Sequence, residues 1–390
     1  MEHSTGIRAV LKREVERILS RRRYICLMLV FPLLTFALFV SIFGEEGLPK
    51  SLPIAIIDHD NSSVSRTMIR SIDATERTKI VAHLTNETEA LRMMQSGKIY
   101  AYVSFPENFM ADALANRQPT IAYYYHNSIL IAGSLIYKDL TQVLKTLSVG
   151  VALRGRLARG QSADEAMAQL QPITVDAYML SNPWANYSVY LSTTLLPNML
   201  QVFILLLTVY SICIELKQKT SQEWMATAGG SITKALTGKL LPYTITFSLL
   251  GIMGNIILFG WLDFPIQTNI FSMLTASVLY VLAYQGWGVL IAGLIQRMSS
   301  CITVASLLGA LALTLSGLTF PIMAMPNFAT GWSHLLPIRH YLVIYTNQAL
   351  NGFGFANCWT SYLALIFFAL LPLIVGKRLR KELLNPTVIQ

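Results

Sequence analysis

The residues best able to do chemistry lie in one polar segment, 215–239, between two long hydrophobic runs. It contains two acids and four lysines: Glu215, Glu223, Lys217, Lys219, Lys234 and Lys239. A short helix is predicted over 220–228, because Gly229-Gly230 follows and glycine commonly ends a helix. A short lysine-rich loop between spans belongs on the cytoplasmic side. We interpret the segment as a surface on which a soluble partner pushes, and a mere connector between spans is the alternative.

Other chemistries lack the residues they need. The stretch from Gly230 to Lys239 comes nearest to a phosphate-binding loop, but its spacing is wrong and Leu240 stands where a Ser or Thr would hold magnesium. No HExxH motif and no convincing Ser-Lys dyad is present. The histidines His59, His83 and His126 are scattered without ligand spacing. We therefore predict no catalytic residues, no cofactor-binding residues and no metal ligands on this chain.

The predicted spans are also uncharged. The five hydrophobic cores between 189 and 375 contain no Asp, Glu, Lys, Arg or His. Titratable groups buried in spans mark ion-coupled carriers and proton pumps, so their absence argues against both. An open ion channel is disfavoured as well, because no selectivity-filter stretch or ring of acids is found.

Composition indicates a membrane protein. Mean hydropathy is +0.49 and 13% of the 390 residues are charged, against about a quarter in soluble domains. The net charge of +9 comes from segments 1–23, 215–239, 296–300 and 376–390, which together hold 16 basic and 6 acidic residues. This excess predicts a cytoplasmic position for these segments beside anionic lipids, not a nucleic-acid-binding face. The four cysteines, Cys26, Cys213, Cys301 and Cys358, lie in or beside spans, so no disulfide framework is predicted.

The N-terminal segment 1–23 is predicted to form an amphipathic helix over 4–22 in the plane of the headgroups. One face is apolar and the other basic: Ile7, Val10, Leu11, Val15, Ile18 and Leu19 against Arg8, Lys12, Arg13 and Arg17. A cleaved signal peptide is the alternative. It is disfavoured because the charged region is long and no small-residue cleavage site follows the apolar run.

These patterns predict a membrane all-α protein with an inserted α/β domain. Six transmembrane helices are expected over 24–43, 189–214, 240–260, 270–295, 301–323 and 355–375, with outer re-entrant helices over 324–354 between spans five and six. The extracytoplasmic (periplasmic) domain 44–188 is expected to contain strands at 53–57, 80–84, 99–105 and 120–125. Helices are expected between the strands, to about residue 72, over 86–96 and over 106–116, followed by a helical stalk over 129–158 and 162–179. The basic tail 376–390 is predicted to be cytoplasmic, and six spans then place both termini in the cytoplasm.

Three stretches together resemble the type-2 ATP-binding-cassette exporter permeases, the ABC-2 membrane family, in the branch with a large outer domain. The first, Leu52 to Ser62, is similar to the family's opening outer strand and turn. The second, 215–228, has Glu215, Thr220, Glu223 and Thr227 in the places of the cytoplasmic signature, although Ala228 replaces a usual Pro and Lys219 a usual Gly. The third is similar to the outer re-entrant segment and comprises 316–326 with 336–341.

The resemblance implies the permease subunit of an exporter in a bacterial inner membrane, with a second copy or close paralogue and a separate cytoplasmic ABC ATPase that holds ATP and Mg. The seam without charge favours an amphiphilic or hydrophobic substrate, such as a drug or lipid. The outer domain suggests docking to a periplasmic adaptor with an outer-membrane channel. The resemblance assigns coupling to the ATPase to Glu215, Thr220, Glu223, Trp224, Met225 and Thr227. Aromatic and Met residues would line the substrate path, with ordinary packing as the alternative: Phe36, Phe39, Phe203, Tyr210 and Met323.

Two other functions stay open. One is a membrane-anchored sensor or assembly protein whose outer domain binds a periplasmic partner, although six spans exceed what anchoring needs. The other is a lipid-modifying enzyme, which would need clustered side chains where Asp263, His334 and His340 are dispersed along the chain. Copurification of a separate P-loop ATPase would discriminate the exporter from both.

Overall fold

The structure is a computed structural model that describes residues 5–43, 50–115, 117–125, 130–157, 159–170, 187–295, 297–317 and 320–384. The chain divides into two compact units. The membrane unit comprises Met1–Gly47 and Met179–Gln390, and the inserted unit is Leu48–Tyr178. The predictions for His126, for the stalk helix beyond Leu170 and for residues 318–319 of the third stretch lie outside the described residues.

The inserted unit is built on a four-stranded sheet, which confirms the predicted small α/β fold. Its strands are β1 (Leu52–Asp58), β2 (Thr78–Leu84), β3 (Ala101–Phe105) and β4 (Ala122–Tyr125), in the spatial order β2-β1-β3-β4. β1 is parallel to β2 and β3, and β4 is antiparallel to β3. The central strands β1 and β3 are apolar and buried, as expected when helices cross over a parallel sheet.

The first two crossover helices of the inserted unit begin at side-chain caps. Helix Ser63–Asp73 is capped by the Ser62 side chain, and helix Glu87–Gln95 by Asn86. A third helix, predicted from 106, begins only at Phe109, because Asn108 adopts a left-handed conformation with φ of 59°. Helix Leu130–Leu157 follows β4 and contributes to the sheet core, and helix Ala163–Leu170 follows it.

The described residues of the membrane unit contain six helices long and apolar enough to cross a membrane, as predicted. The first two candidate spans are Arg22–Ile42, with a π-helical section at Cys26–Val30, and Ser188–Lys217. The other four are Ile232–Trp261, π-helical from Ile257, then Ile270–Ile295, Met298–Leu315 and Trp359–Leu384, the last interrupted at Leu370. Before them lies the N-terminal helix, Ile7–Ser20, and between the second and third spans lies the loop helix, Ser221–Thr227.

Three helices differ in extent from the predicted spans. The helix of the third span begins at Ile232, ahead of the predicted Leu240, and Gly229 and Gly230, with positive φ angles, separate it from the loop helix. The fifth span ends at Leu315 instead of Met323, close to Gly317 with φ of 90°. The sixth begins at Trp359, after a 3₁₀ turn at Phe355–Asn357. The helices of spans two and three therefore extend into charged sequence that the uncharged predicted cores excluded.

The interval between the fifth and sixth spans contains short helices. A 3₁₀ turn, Ile322–Ala324, precedes the helices Asn327–His334 and Pro337–Ile344, and the second of these continues as a π-helix, Tyr345–Leu350. Helix Pro337–Ile344 packs against the fourth and sixth spans. Short helices were predicted here, and their re-entrant depth in the membrane stays a prediction.

The second and fourth spans form the centre of the membrane unit. In their apolar segments 67% and 61% of residues are buried, against 11% in the first span and 22% in the fifth. The second span packs against the first, third, fourth and fifth spans. The first and fifth spans thus present most of their apolar surface outward from this unit.

Candidate functional site

The candidate site begins with the N-terminal helix, which packs on the first turns of the third span. Its buried residues are Val10, Glu14 and Ile18, spaced four apart and therefore on one face of the helix. Close approach depends on Gly238, where an added Cβ would lie 2.7 Å from the Cβ of Val10. An acid thus lies in the packed stripe, and three residues of the predicted apolar face are exposed on this unit, Ile7, Val15 and Leu19.

A fully buried lysine lies at the centre of the site. The Nζ of Lys239, on the third span, is 2.6 Å from Oε2 of Glu14 and 2.8 Å from Oε1 of Glu215 at the end of the second span. The hydroxyl of Tyr243 donates a hydrogen bond of 2.7 Å to the other carboxylate oxygen of Glu14. The three charged side chains are at most 1% exposed. One ammonium group therefore joins three separate elements.

Two arginines of the N-terminal helix complete this network on Glu215. Arg13 donates from Nη1 and Nη2 to the two carboxylate oxygens, each at 3.0 Å. Arg17 also donates to Glu215, and its Nη1 is 3.9 Å from Oε2 of Glu14. Thr220, just before the loop helix, donates from its hydroxyl to Glu215 as well. We call the six residues Arg13, Glu14, Arg17, Glu215, Thr220 and Lys239 the ionic network.

The ionic network holds three cations and two carboxylates in a mostly buried site. Burial alone would lower the pKa of Arg17, but the hydrogen bond and charge of Glu215 raise it by more, so the net shift is upward and the side chain stays charged. Removing one member of a buried ion pair costs about 3–5 kcal/mol, because its partner is left unpaired. The N-terminal helix and the facing ends of spans two and three are consequently held as one piece.

The loop helix is attached to this piece from several sides. Trp224 is fully buried, and the Nζ of Lys239 lies 4.8 Å from the centre of its ring, within cation–π range. The backbone N–H of Gly6 donates to the carbonyl of Thr227 at 2.9 Å. On the opposite side, Gln222 donates to the carbonyl of Leu384 at the end of the sixth span, at 3.0 Å. Movement of the loop helix would therefore act on three neighbouring elements.

The six residues predicted to couple to an ATPase differ in how far they are exposed. Glu215, Trp224 and Met225 are buried inside the membrane unit. Thr220 and Thr227 are half-buried, and Glu223 alone of the six is exposed. The outward face of the loop helix consists of Gln222, Glu223 and Ala226.

The sequence did not predict most of the ionic network. Arg13 and Arg17 were assigned to the basic face of the N-terminal helix, and Lys239 only to the lysine-rich loop. No contact was predicted for Glu14 or Tyr243. One signal could have revealed them, since Glu14 falls between Val10 and Ile18 at helical spacing. An acid in an apolar stripe needs a cation opposite, and Lys239 borders the next hydrophobic run.

The burial of Lys239 bears on the stretch that comes nearest to a phosphate-binding loop. In such a loop the lysine must reach a phosphate, whereas here it is 0% exposed and bound to two carboxylates. Helix begins at Ile232, two residues after Gly230, so most of this stretch is helix instead of loop. In this arrangement Lys239 is not placed to contact a nucleotide phosphate.

The five residues predicted along the substrate path do not share one environment. Phe36 is buried against Gly254 and borders a cavity of ≈ 30 Å³ between the first four spans. Phe39, Phe203 and Tyr210 are half-buried in the hydrophobic core, the last with its ring 5.4 Å from that of Tyr24. Met323 is fully exposed on the 3₁₀ turn after the fifth span.

The structure brings two histidines together that the sequence left dispersed. The rings of His334 and His340 lie 6.4 Å apart, and Nε2 of His340 is 2.9 Å from the carbonyl oxygen of His334. Within the ranges that the structure describes, no three His, Cys, Asp or Glu residues group as metal ligands.

Comparison with known proteins places these features in context. A family model described as "ABC-2 family transporter protein" matches residues 22–376. The match is to a membrane permease component, and no ATPase domain is detected on this chain. ABC transporter G family member 20 of Dictyostelium discoideum is 21% identical over 377 residues, which cover 94% of this chain and 50% of that protein. The chain thus spans about half the length of the curated relative it matches.

Proposed function

This chain belongs to the ABC-2 family of transporter membrane proteins, and from that premise we propose that it is an exporter permease driven by a separate ABC ATPase. It is an integral multi-pass membrane protein. The ATPase, with its ATP and Mg, docks on the loop helix and moves it. The N-terminal helix and spans two and three move with it, because the ionic network joins them. The observation that supports this most is the ion pairing of Lys239 with both Glu14 and Glu215.

The docking surface is the outward face of the loop helix, made of Gln222, Glu223 and Ala226. These side chains are exposed, whereas Trp224 and Met225 anchor the helix from below. Glu223 supplies the one charge on this face of the helix, so it suits a basic or hydrogen-bonding cleft on the ATPase. Of the six predicted coupling residues, Glu223 therefore meets the ATPase and the buried ones transmit its movement.

Transmission requires rigid parts. An isolated seven-residue helix is only marginally stable in water, so a push on it would unfold it unless it were held. Buried Trp224, the Gly6 bond and the Gln222 bond hold this one. The bidentate Arg13 pair then extends the connection to Glu215, whose span packs in the centre of the unit.

The orientation follows from charge. The loop helix lies in contact with both the N-terminal helix and the basic end of the sixth span. Lysines and arginines favour the cytoplasmic side, so this end faces the cytoplasm and the inserted unit faces the periplasm of a bacterial cell. A periplasmic adaptor and outer-membrane channel would receive substrate there.

The functional permease contains two copies of this chain or one copy with a close paralogue. The first and fifth spans support this assignment, because they bury little of their apolar surface within one copy. The substrate, an amphiphile or hydrophobic drug, moves along the seam between the copies. Uncharged predicted cores suit such a molecule better than an ion or a sugar.

The test is purification of the full chain from its native membrane, followed by assay of MgATP hydrolysis and identification of bound proteins by mass spectrometry. We expect a P-loop ATPase and its activity to copurify with the wild type. Glu223→Arg should cause loss of the ATPase and of its activity from the purified sample. Gln142→Arg, at an exposed residue of the inserted unit, is the control and should cause neither loss. Retention of the ATPase by both variants would contradict docking on the loop helix, and absence of any ATPase would favour a sensor or assembly role.

A further inference from the structure

A second chamber lies in the membrane unit, away from the ionic network. Its volume is ≈ 200 Å³, and it lies between the beginning of the second span and the helical segment 337–350. The described residues that line it carry no charge: Val189, Tyr190, Thr193, Gly317, Leu342, Tyr345, Thr346 and Leu350. An apolar cavity of about 150 Å³ takes up benzene, so this chamber can hold a segment of acyl chain.

One polar atom of the wall has no hydrogen-bond partner among the described residues. It is the hydroxyl of Tyr345, a residue that is buried, with 2% of its surface exposed. Tyr345 lines this chamber and also the smaller cavity beside Phe36. An unpaired buried hydroxyl costs free energy that a ligand oxygen in the chamber would recover.

A cation without an acid lies beside the chamber. Arg339 is half-buried and forms no ion pair or hydrogen bond in the part of the chain that the structure describes, and burial lowers its pKa. Its Nη1 is 3.0 Å from the position that a Cβ on Gly317 would take, and Gly317 lines the chamber. Leu342, another lining residue, is three positions along the same helix and so on the same face.

The sequence offers Arg339 no acid nearby along the chain. Between Asp263 and Glu382 there is no Asp or Glu at all. A half-buried guanidinium that none of the described residues neutralises favours an anion from outside, and it binds carboxylate or phosphate through paired hydrogen bonds.

We propose that the chamber and Arg339 form a binding site for a single-chain anionic amphiphile, with its acyl chain in the chamber and its headgroup on Arg339. Naming this class of amphiphile as cargo rests on the proposed function, but binding itself needs no ATPase. The site lies within one copy of the chain, so it differs from a path along the seam between two copies. The Tyr345 hydroxyl donates a hydrogen bond to an oxygen of the bound headgroup.

The experiment uses the full chain purified alone in nanodiscs of neutral lipid. The probe is palmitate carrying a photoactivatable diazirine, and labelled peptides are mapped by mass spectrometry. We expect labelling of 187–193 and 337–350 that unlabelled palmitate displaces. Diazirine-bearing hexadecanol, with the same chain and no charge, should label at least 10-fold less. Inorganic phosphate, with charge and no chain, should not compete.

The variants separate charge from cavity. Arg339→Gln should weaken palmitate binding about 10- to 100-fold, the usual effect of losing a charge-assisted hydrogen bond, whereas Arg339→Lys should retain most of it. Leu350→Trp should abolish labelling by both probes by filling the chamber. Arg297→Gln, at an exposed arginine before the fifth span, is the matched control.

Several results would overturn the proposal. They are unchanged labelling in Arg339→Gln, equal labelling by hexadecanol, equal loss in Arg339→Gln and Arg339→Lys, or labelling confined to other segments. If palmitate labelling failed, the result of the ATPase copurification would not be affected. If no ATPase copurified, the result of the palmitate labelling would not be affected. The two proposals are therefore tested separately.

Discussion

Replacing Glu215 by Gln tests the ionic network most sharply. The carboxylate accepts from Arg13 twice, from Arg17, from Lys239 and from Thr220. The amide of Gln keeps the shape but loses the charge, so three cations face Glu14 alone. Loss of one member of a buried network costs about 3–5 kcal/mol. Each factor of ten in an equilibrium corresponds to about 1.4 kcal/mol, so detachment of the N-terminal helix should become roughly two to nearly four orders of magnitude more frequent.

The assay is amide hydrogen exchange of the full chain in nanodiscs, read by mass spectrometry over residues 7–20. Opening of the N-terminal helix exposes its amides, so exchange there should accelerate in Glu215→Gln by roughly the factor above. Glu223→Gln is the matched control, because Glu223 is exposed and its side chain forms no hydrogen bond or ion pair with the described residues of the network. Equal exchange over 7–20 in wild type and Glu215→Gln would refute the reasoning that this carboxylate holds the helix.

Three further predictions follow from single residues. Glu223→Arg should lower the copurifying ATPase activity about tenfold and leave exchange over 7–20 unchanged, and a parallel loss in both would contradict separate docking and anchoring roles. Gly238→Val should displace the N-terminal helix at a cost of about 1–3 kcal/mol, because the added Cβ would lie 2.7 Å from that of Val10. Faster exchange over 7–20 would show this, with Gly331→Ala, where a Cβ meets nothing within 4 Å, as control. Burial lowers the pKa of His340 below 6.5, with the charges of Arg339 and His334 adding to the effect. The unfolded chain then binds more protons, so stability is present above pH 6.5 and is lost as the pH falls through the folded pKa. Thermal unfolding from pH 7.5 to 5.5 should show this loss, and His340→Gln should flatten it; identical slopes would contradict the assignment.

Periodicity predicted the elements because each is governed by local sequence. Long apolar runs predicted the six spans, and the helices expected to about residue 72 and over 86–96 are present as Ser63–Asp73 and Glu87–Gln95. Boundaries failed where backbone conformation decided them. The left-handed turn at Asn108 and the positive φ of Gly317 ended or delayed elements that hydropathy alone would extend.

The candidate site was harder to predict because its members are far apart in sequence. Lys239 and Glu14 are separated by 225 positions, and only packing of the N-terminal helix on the third span brings them to 2.6 Å. From sequence alone, a basic helix face is expected to face solvent, because nothing identifies the acid that pairs with it. Glu215 was identified by its family pattern, and its burial under Arg13 is visible only in three dimensions.

The central claim is that movement enters at the loop helix and reaches the spans through the ionic network. The direct measurement is hydrogen exchange of the permease–ATPase complex with and without ATP, over the loop helix and over 208–217 and 232–243. In the wild type, ATP should change exchange in all three segments. In Glu215→Gln the change should stay within the loop helix, with the ATPase still bound. An ATP response in the two span segments as large as that of the wild type would contradict the account.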